Sequence, residues 1–498
     1  MRIKYEFGWI GLKIFSPYDY DEIKYMNIFI IYYLLLTIFC ALFGYLTWRD
    51  LRPGIYLICA LLPSYLIRFQ IGPVPMTLLE AMILILFIAW TIKNFQLKTF
   101  NPSLAPRSGA GLKLSTYHYP IIFLLIAATI SIFISPDLRA AAGIWKAYFL
   151  EPILFFTVFI TTVKTRKDLE KVFYALGVLV LGISIFAIWQ KITGELIPVP
   201  MWRPAATRRV TTFFTSPNAI GLLVGPIIVL YFGWLVEKIK DLRLKIKVLK
   251  PYNFNLSTFN LKSSYYLLIV IFQLAVIILG LLSIVFARSR ASGVAVIMAF
   301  IFILFFTWSK KWTAILAGLG IIIILLLPTS RSFVLSLATF KVPSGSTRLL
   351  LWEGTAKMLE DHPIFGAGLS GFWQVYQPYR LPKQTESLIY PHNIILNFWS
   401  EIGLLGLIAM IWIIVKYFKQ GHRLVISPPR FAERGWGHSS SVISNKILII
   451  TLLAVMTEII VHGFVDAPYF KNDLSVLFWL FIGMMVVLEN LAKKEYNQ

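Results

Sequence analysis

"NIFIIYYLLLTIFCALFGYLT", residues 27–47, sets the class of this chain. The run holds no charged residue, and at a rise of about 1.5 Å per residue it crosses a hydrocarbon core about 30 Å thick. It is too long for the apolar core of a secretory signal and lacks a small-residue cleavage site, so it reads as a membrane span. Comparable runs recur at 54–70, 76–92, 119–135, 143–163, 172–190, 218–236, 265–287, 292–308, 312–328, 393–415, 446–463 and 474–490. The chain is 58% hydrophobic and 14% charged, with a mean hydropathy of +0.74. Soluble domains carry about 25% charged residues. The expectation is an all-α polytopic membrane protein with about 12–13 transmembrane helices.

The net charge of +23 does not point to nucleic acid, because the basic residues sit mostly in short loops between spans, as in the positive-inside pattern. The loop set holding "WRDLRP", 93–118, "KTRKDLEK", 237–264, "SKK", 416–445 and the C-terminal "KK" is richer in Lys and Arg and is expected in the cytoplasm. The loops 191–217, 288–291 and 329–392, with the turn after His462, then lie outside. This gives an N-terminal tail at 1–26, a bundle at 27–328, a large extracytoplasmic loop with an amphipathic helix at 329–392, closing helices at 393–490 and a cytoplasmic tail at 491–498. Thirteen crossings place Met1 outside; a segment such as 54–70 that fails to cross would place it inside. Cys40 and Cys59 lie within apolar runs, so neither a disulfide nor a metal site is expected.

Polar groups gather at the expected outer loop ends: Arg208 and Arg209 in "TRRVTTFFTSPNAIG", Arg288 and Arg290 in "ARSRASG", Arg348, His392, and His462 with Asp466 in "HGFVDAPYF". Arg290 either snorkels to the headgroups or binds an anion where free N–H groups begin a helix, with Arg288 second to it. Arg348 falls in the first turn of a helix capped by Ser346 or Thr347. A cation there opposes the helix dipole unless an anion lies between them, and the guanidinium fork suits phosphate oxygens. Leu349, Trp352, Ala356 and Leu359 form one apolar stripe. The helix ends before Pro363, and Gly366, Gly368 and Gly371 supply turns. His392 begins a span and is either a helix-start residue or a general base. Asp466 is either a turn residue or its orienting partner. Glu80 and Arg68 are expected to pair. "DYD" at 19–21 is a weak match to a metal-binding D-x-D. Gly-rich phosphate loops, Cys/His metal spacings and G-x-S-x-G are absent from the sequence.

Four blocks together resemble the O-antigen ligase and O-antigen polymerase superfamily. They are "RVTTF…PN" at 209–218, Ser289-Arg290 with the small residues that follow to 293, "TRLLLWEGTAKMLEDHPIFGAGLSGF" at 347–372 and "PHNIILNFWSEIGLLGL" at 391–407. "HGFVDAPYFKNDLSVLFWLFIG" and "LPSYLIRFQIGPVPMTLLE" are similar too. The resemblance implies a GT-C-like, inverting glycosyltransferase that needs no metal or cofactor and sits in the cytoplasmic membrane with its site on the extracytoplasmic face. It implies a polyprenyl-diphosphate (undecaprenyl-type) glycan donor and an acceptor hydroxyl on a glycolipid such as lipopolysaccharide, on a glycan or on a protein. Carried over, His392 matches the histidine that activates the acceptor, and Arg290, Arg348 and Arg209 match the arginines that hold the diphosphate. Arg288, Arg208, Trp352, Asn393, His462 and Asp466 are supporting candidates. Thr212 departs from the pattern, where glycine is usual. Ligase, polymerase and protein O-oligosaccharyltransferase stay open, as does a lipid-linked sugar transporter, although no paired half-repeat of the transporter kind is visible.

Overall fold

The computed structural model describes residues 22–100, 116–249, 260–315, 318, 343–384, 389–426 and 440–497. The "DYD" motif and most of the span expected at 312–328 lie outside them. Among the described residues ten helices are long and apolar enough to cross a membrane, and Leu51–Ala60 and His118–Ile134 are shorter apolar helices.

The bundle has two ends, each recognisable from its polar contacts. At one end Lys93 donates to the Arg49 carbonyl at 3.2 Å, Arg166 pairs with Glu237 at 3.2 Å and Arg423 pairs with Glu489 at 2.6 Å. These are the loops that the charge pattern grouped together. Helix α1 (Glu22–Arg49) ends there, and Asp50 caps α2 (Leu51–Ala60) by accepting the Arg52 N–H. Helix α7 (Arg166–Thr193) starts there with a capping box: Thr165 accepts the Asp168 N–H, and Asp168 accepts the Thr165 N–H. Arg52 reaches Asp168 at 3.5 Å, which joins α2 to α7.

The other end carries the candidate site. The expected span 54–70 is not one helix: α2 gives way to a 3-10 turn at Leu62–Leu66 and an antiparallel hairpin, β1 (Arg68–Ile71) and β2 (Val74–Thr77). Pro63 and Pro73 remove N–H donors, so the helix cannot run on. The segment nevertheless connects the two ends, because the hairpin lies beside the start of α3 (Leu78–Phe100) and Tyr32 of α1 donates to the Arg68 carbonyl at 2.8 Å. Helix α1 therefore starts at the site end. Glu80 pairs with Lys146 at 3.1 Å rather than with Arg68. Lys146 lies in a π-helical turn, Trp145–Leu150, between α5 (Leu138–Ile144) and α6 (Glu151–Thr162).

Helix α8 (Asn218–Leu249) runs through the centre of the bundle, its apolar stretch Asn218–Arg243 buried on nearly every side. Between membrane helices close approach comes from small residues. Gly233 of α8 leaves no room for a side chain beside Thr451, and Gly177 of α7 leaves none beside Tyr231, whose hydroxyl donates to the Phe173 carbonyl at 2.7 Å. Helices α4 (His118–Ile134), α9 (Asn260–Ala287) and α10 (Arg290–Thr307) complete the surround.

The loop helix α11 (Pro343–Asp361) begins a turn earlier than the sequence pattern suggests, so Arg348 stands in its second turn and Ser346 and Thr347 are inside it rather than capping it. Its buried face is Leu351, Thr355, Met358 and Leu359, while Leu349 and Ala356 are exposed, so the expected stripe is rotated. That face packs with Phe372 and Tyr376 of the short helix α12 (Phe372–Tyr376). Helix α13 (Ile394–Ile426) is broken at Ile402 and Gly403, where Gly403 has φ +70°. Helices α14 (Ser440–Gly463) and α15 (Asn472–Asn497) close the fold.

Candidate functional site

A single carboxylate, Asp466, gathers the site. It sits in the turn between α14 and α15, buried, and its Oδ1 accepts the Ala467 N–H at 2.9 Å. The same oxygen lies 2.9 Å from His392 Nδ1. An ionised carboxylate only accepts, so Nδ1 carries a proton toward it, and in the neutral form of the ring the lone pair lies on Nε2. Oδ2 accepts Asn218 Nδ2–H at 3.2 Å and faces Arg348 Nη2 at 3.9 Å. Burial raises the Asp466 pKa, but His392, His462 and Arg348 more than offset it, and the carboxyl lies well below its ordinary value. The Asp466 side chain is 5% exposed and that of His392 is 24% exposed, so the imidazole is the member of the pair that reaches outward.

His392 has φ +48°, a left-handed conformation that side-chain-bearing residues rarely adopt. Its neighbours impose it. Trp352 of α11 donates Nε1–H to the Pro391 carbonyl at 2.8 Å. Asn393 accepts the Ile395 and Leu396 N–H groups as the cap of α13, and its amide donates to the Phe464 carbonyl at 3.0 Å. The strain of such a residue costs about 1–3 kcal/mol and persists only where the surroundings over-determine it. Here three tethers do so, one on each side and one through the ring.

Asn218, the first residue of α8, carries the network onward: its Oδ1 accepts from Arg209 Nη2 at 3.4 Å. Arg209 Nε donates to the Ala287 carbonyl at 3.1 Å, and the guanidinium lies over the Trp202 ring at 5.6 Å. Burial, and then the like charges of Arg288 and Arg290, pull the Arg209 pKa below its ordinary value. Among the described residues Arg209 pairs with no carboxylate, so an anion among these three guanidiniums would relieve their repulsion. Arg290 is exposed at the first position of α10. Arg288, at φ +52°, donates to the Ala206 carbonyl at 3.0 Å and so braces the loop before Arg209.

Thr212 adopts φ +53°. The loop therefore keeps the conformation a glycine would give it, despite the departure from the family pattern. Gln190 of α7 enforces this, its Oε1 accepting the Thr211 and Thr212 N–H groups at 3.0 and 2.7 Å while its amide donates to the Thr212 carbonyl. Arg208 points elsewhere: it donates to the Lys191 and Ile192 carbonyls at 2.8 and 2.9 Å and to Arg203 O at 2.8 Å. It satisfies the last carbonyls of α7 and is not directed at the site. His462 is buried with Glu458 Oε1 3.5 Å from its Nδ1, and it acts on Asp466 electrostatically and not through a hydrogen bond.

Arg209, Arg288, Arg290, Arg348, His392 and Asp466 thus lie at one end of the bundle, linked through Asn218. The sequence reading did not single out Asn218 or Lys471, whose ammonium lies 5.4 Å from the Phe214 ring centre. The "PN" at a helix start was the only signal for Asn218. The decisive arrangement joins α11 to the start of α13: Arg348 and His392 face the Asp466 carboxylate, and Trp352 holds the Pro391 carbonyl next to His392. Residues 275–411 match the O-antigen ligase family. The chain is O-antigen ligase-like over this segment. The matched part contains Arg288, Arg290, Arg348, Trp352 and His392, whereas Arg209, Asn218 and Asp466 lie outside it and reach it through the fold. Candidate polysaccharide ligases of Rickettsia are similar to parts of the chain. That of Rickettsia conorii is 32% identical over 84 residues, 16% of this chain and 20% of the relative. That of Rickettsia typhi is 31% identical over 97 residues, 18% of this chain and 24% of the relative. The chain thus covers between a fifth and a quarter of the length of these curated relatives.

Proposed function

We propose that the protein is a membrane glycosyltransferase that moves a glycan from a polyprenyl-diphosphate donor to an acceptor hydroxyl, at the outer face of the cytoplasmic membrane. The observation that carries this reading is the His392–Asp466 pair set beside Arg348 and the Arg209 cluster. The acceptor O–H gives its proton to His392 Nε2 as the oxygen attacks the anomeric carbon from the face opposite the diphosphate. The new C–O bond forms as the bond to the diphosphate breaks, the electron pair leaves with the diphosphate and the anomeric configuration inverts. Asp466 holds the imidazole in the right tautomer and stabilises the imidazolium, and a general base of this kind contributes about 10²–10⁴-fold. Arg209, Arg290 and Arg348 meet the charge that grows on the leaving group. They do the work that a divalent cation does elsewhere. The apolar helices suit the polyprenyl tail.

The test is transfer in vitro with purified protein, a polyprenyl-diphosphate glycan, a panel of acceptors and excess EDTA, with His392→Ala alongside. EDTA-resistant, His392-dependent product is expected, and the acceptor consumed separates ligase, polymerase and protein glycosylation. Movement of the same lipid across a reconstituted bilayer without any product would overturn the reading in favour of a transporter.

A further inference from the structure

Below the site, the loop Pro363–Ser370 is threaded into the break of α13. Trp399 donates Nε1–H to the Pro363 carbonyl at 2.7 Å. The Ala367 N–H donates to the Ser400 carbonyl at 2.7 Å and the Leu404 N–H to the Ile364 carbonyl at 2.8 Å. These bonds satisfy the backbone groups that the break at Gly403 frees. Gly366 (φ +65°) lies against the Trp399 and Ser400 carbonyls and Gly368 (φ +79°) against the Ser135 backbone, where no side chain fits.

Glu401 closes this arrangement. It is 1% exposed, and its Oε2 accepts the Ser370 N–H at 2.7 Å, with Ser370 itself at φ +60°. The Glu401 carbonyl accepts the Ser131 hydroxyl of α4, and Ser131 Oγ accepts the Leu369 N–H at 2.9 Å. The Glu401 Oε1 is buried with no hydrogen-bond partner among the described residues. A buried acid is costly, and the catalytic scheme above makes no use of this one. It lies two turns below His392 in the short helical segment between Asn393 and the break. The loop it holds continues directly from α11, which carries Arg348 and Trp352.

We infer that Glu401 is a positioning residue that, by clasping the Ser370 N–H, fixes the Pro363–Ser370 loop in the break of α13 and so sets Arg348 and Trp352 over His392. The carboxylate acts through the loop and α11, not on substrate. The inference rests on the transferase reading for its kinetic consequence alone; its geometric consequence is independent of that reading.

Two measurements test it. The first is the distance distribution between spin labels on cysteines replacing Glu353 and Ile395, both exposed, in a Cys40→Ala, Cys59→Ala background. Glu401→Ala is expected to broaden it, and Glu401→Gln, which keeps an oxygen acceptor, to restore it. The second is a kinetic cycle. Glu401→Ala is expected to lower kcat by about 10- to 100-fold, as misplacement of about 1 Å does, with KM for the acceptor little changed. Added to Trp352→Phe it should cost no more than about threefold further, since both act through the same contact to Pro391. If Glu401→Ala does not fold, Glu401→Asp, whose shorter side chain falls short of the Ser370 N–H, cuts the same clasp more gently and takes its place. An unchanged label distribution, or losses that multiply in the double variant, would overturn the inference. Broadened labels in a protein that transfers nothing would leave the clasp standing and remove the transferase reading.

Discussion

Asp466→Asn is the sharpest perturbation of the site. The substitution keeps the shape and removes one charge 2.9 Å from His392 Nδ1. With charge centres about 4 Å apart at an effective dielectric of about 20, the lost attraction to a protonated imidazole is about 4 kcal/mol. His392 is 24% exposed, and solvent screening reduces this to about 2–3 kcal/mol. If the imidazolium forms in the transition state, that energy is lost there and kcat falls by about 30- to 150-fold. The assay is the initial rate of transfer from the lipid-linked donor across a pH series. The carboxylate stabilises the protonated ring, so its removal moves the acid limb of the pH–rate profile to lower pH. A stability effect accompanies it. The folded Asp466 carboxyl lies below its ordinary value of 3.8, so its contribution is present above that value and is lost as pH falls toward the folded value. Wild type therefore loses stability in acid in a way the variant does not. A variant with kcat within threefold of wild type, or with its acid limb moved toward higher pH, would refute the dyad.

Arg348→Lys keeps the charge but not the fork, and is expected to lower kcat/KM by at least about tenfold in the same assay; near-normal turnover would remove Arg348 from the donor's diphosphate. Arg208→Met strips the carbonyls at the end of α7 and is expected to lower the unfolding midpoint by an amount equivalent to about 1–3 kcal/mol, with kcat per folded molecule unchanged. Thr212→Gly relieves a left-handed β-branched residue and is expected to keep full activity and raise Tm, read by thermal unfolding in detergent. Cysteines replacing Glu353 and Lys383 should react with an impermeant thiol reagent from outside intact cells, and labelling only after permeabilisation would put the site at the cytoplasmic face.

Much of this architecture was readable in advance because hydropathy is a property of one segment at a time. The runs at 27–47, 218–236 and 474–490 are apolar whatever they pack against. The candidate residues stood out for a related reason: Arg348, His392 and Asp466 are polar groups at helix ends in a chain with few charges, where each has a desolvation cost to justify. Contacts between distant segments were not readable. Nothing near Arg208 announces that its guanidinium turns back to α7, and Glu80 meets Lys146 across a fold that sequence spacing does not reveal. The start of α11 was misplaced because Pro343 tolerates the first turn of a helix while Ser346 and Thr347 look like caps. Glu401 read as one more residue in an apolar run, because its partner, the Ser370 N–H, is a backbone group.

The dependence of the centre on Asp466 also bears on how the chain is made. Asn218, Arg348 and His392 all leave the ribosome before Asp466 does, and without it they lose their common partner. On the proposed reading, a chain that has not yet inserted α14 and its following turn holds the arginines meant for the diphosphate but lacks the carboxylate that orients His392. On that reading the ability to react is completed only when the turn after α14 joins the segments that precede it along the chain.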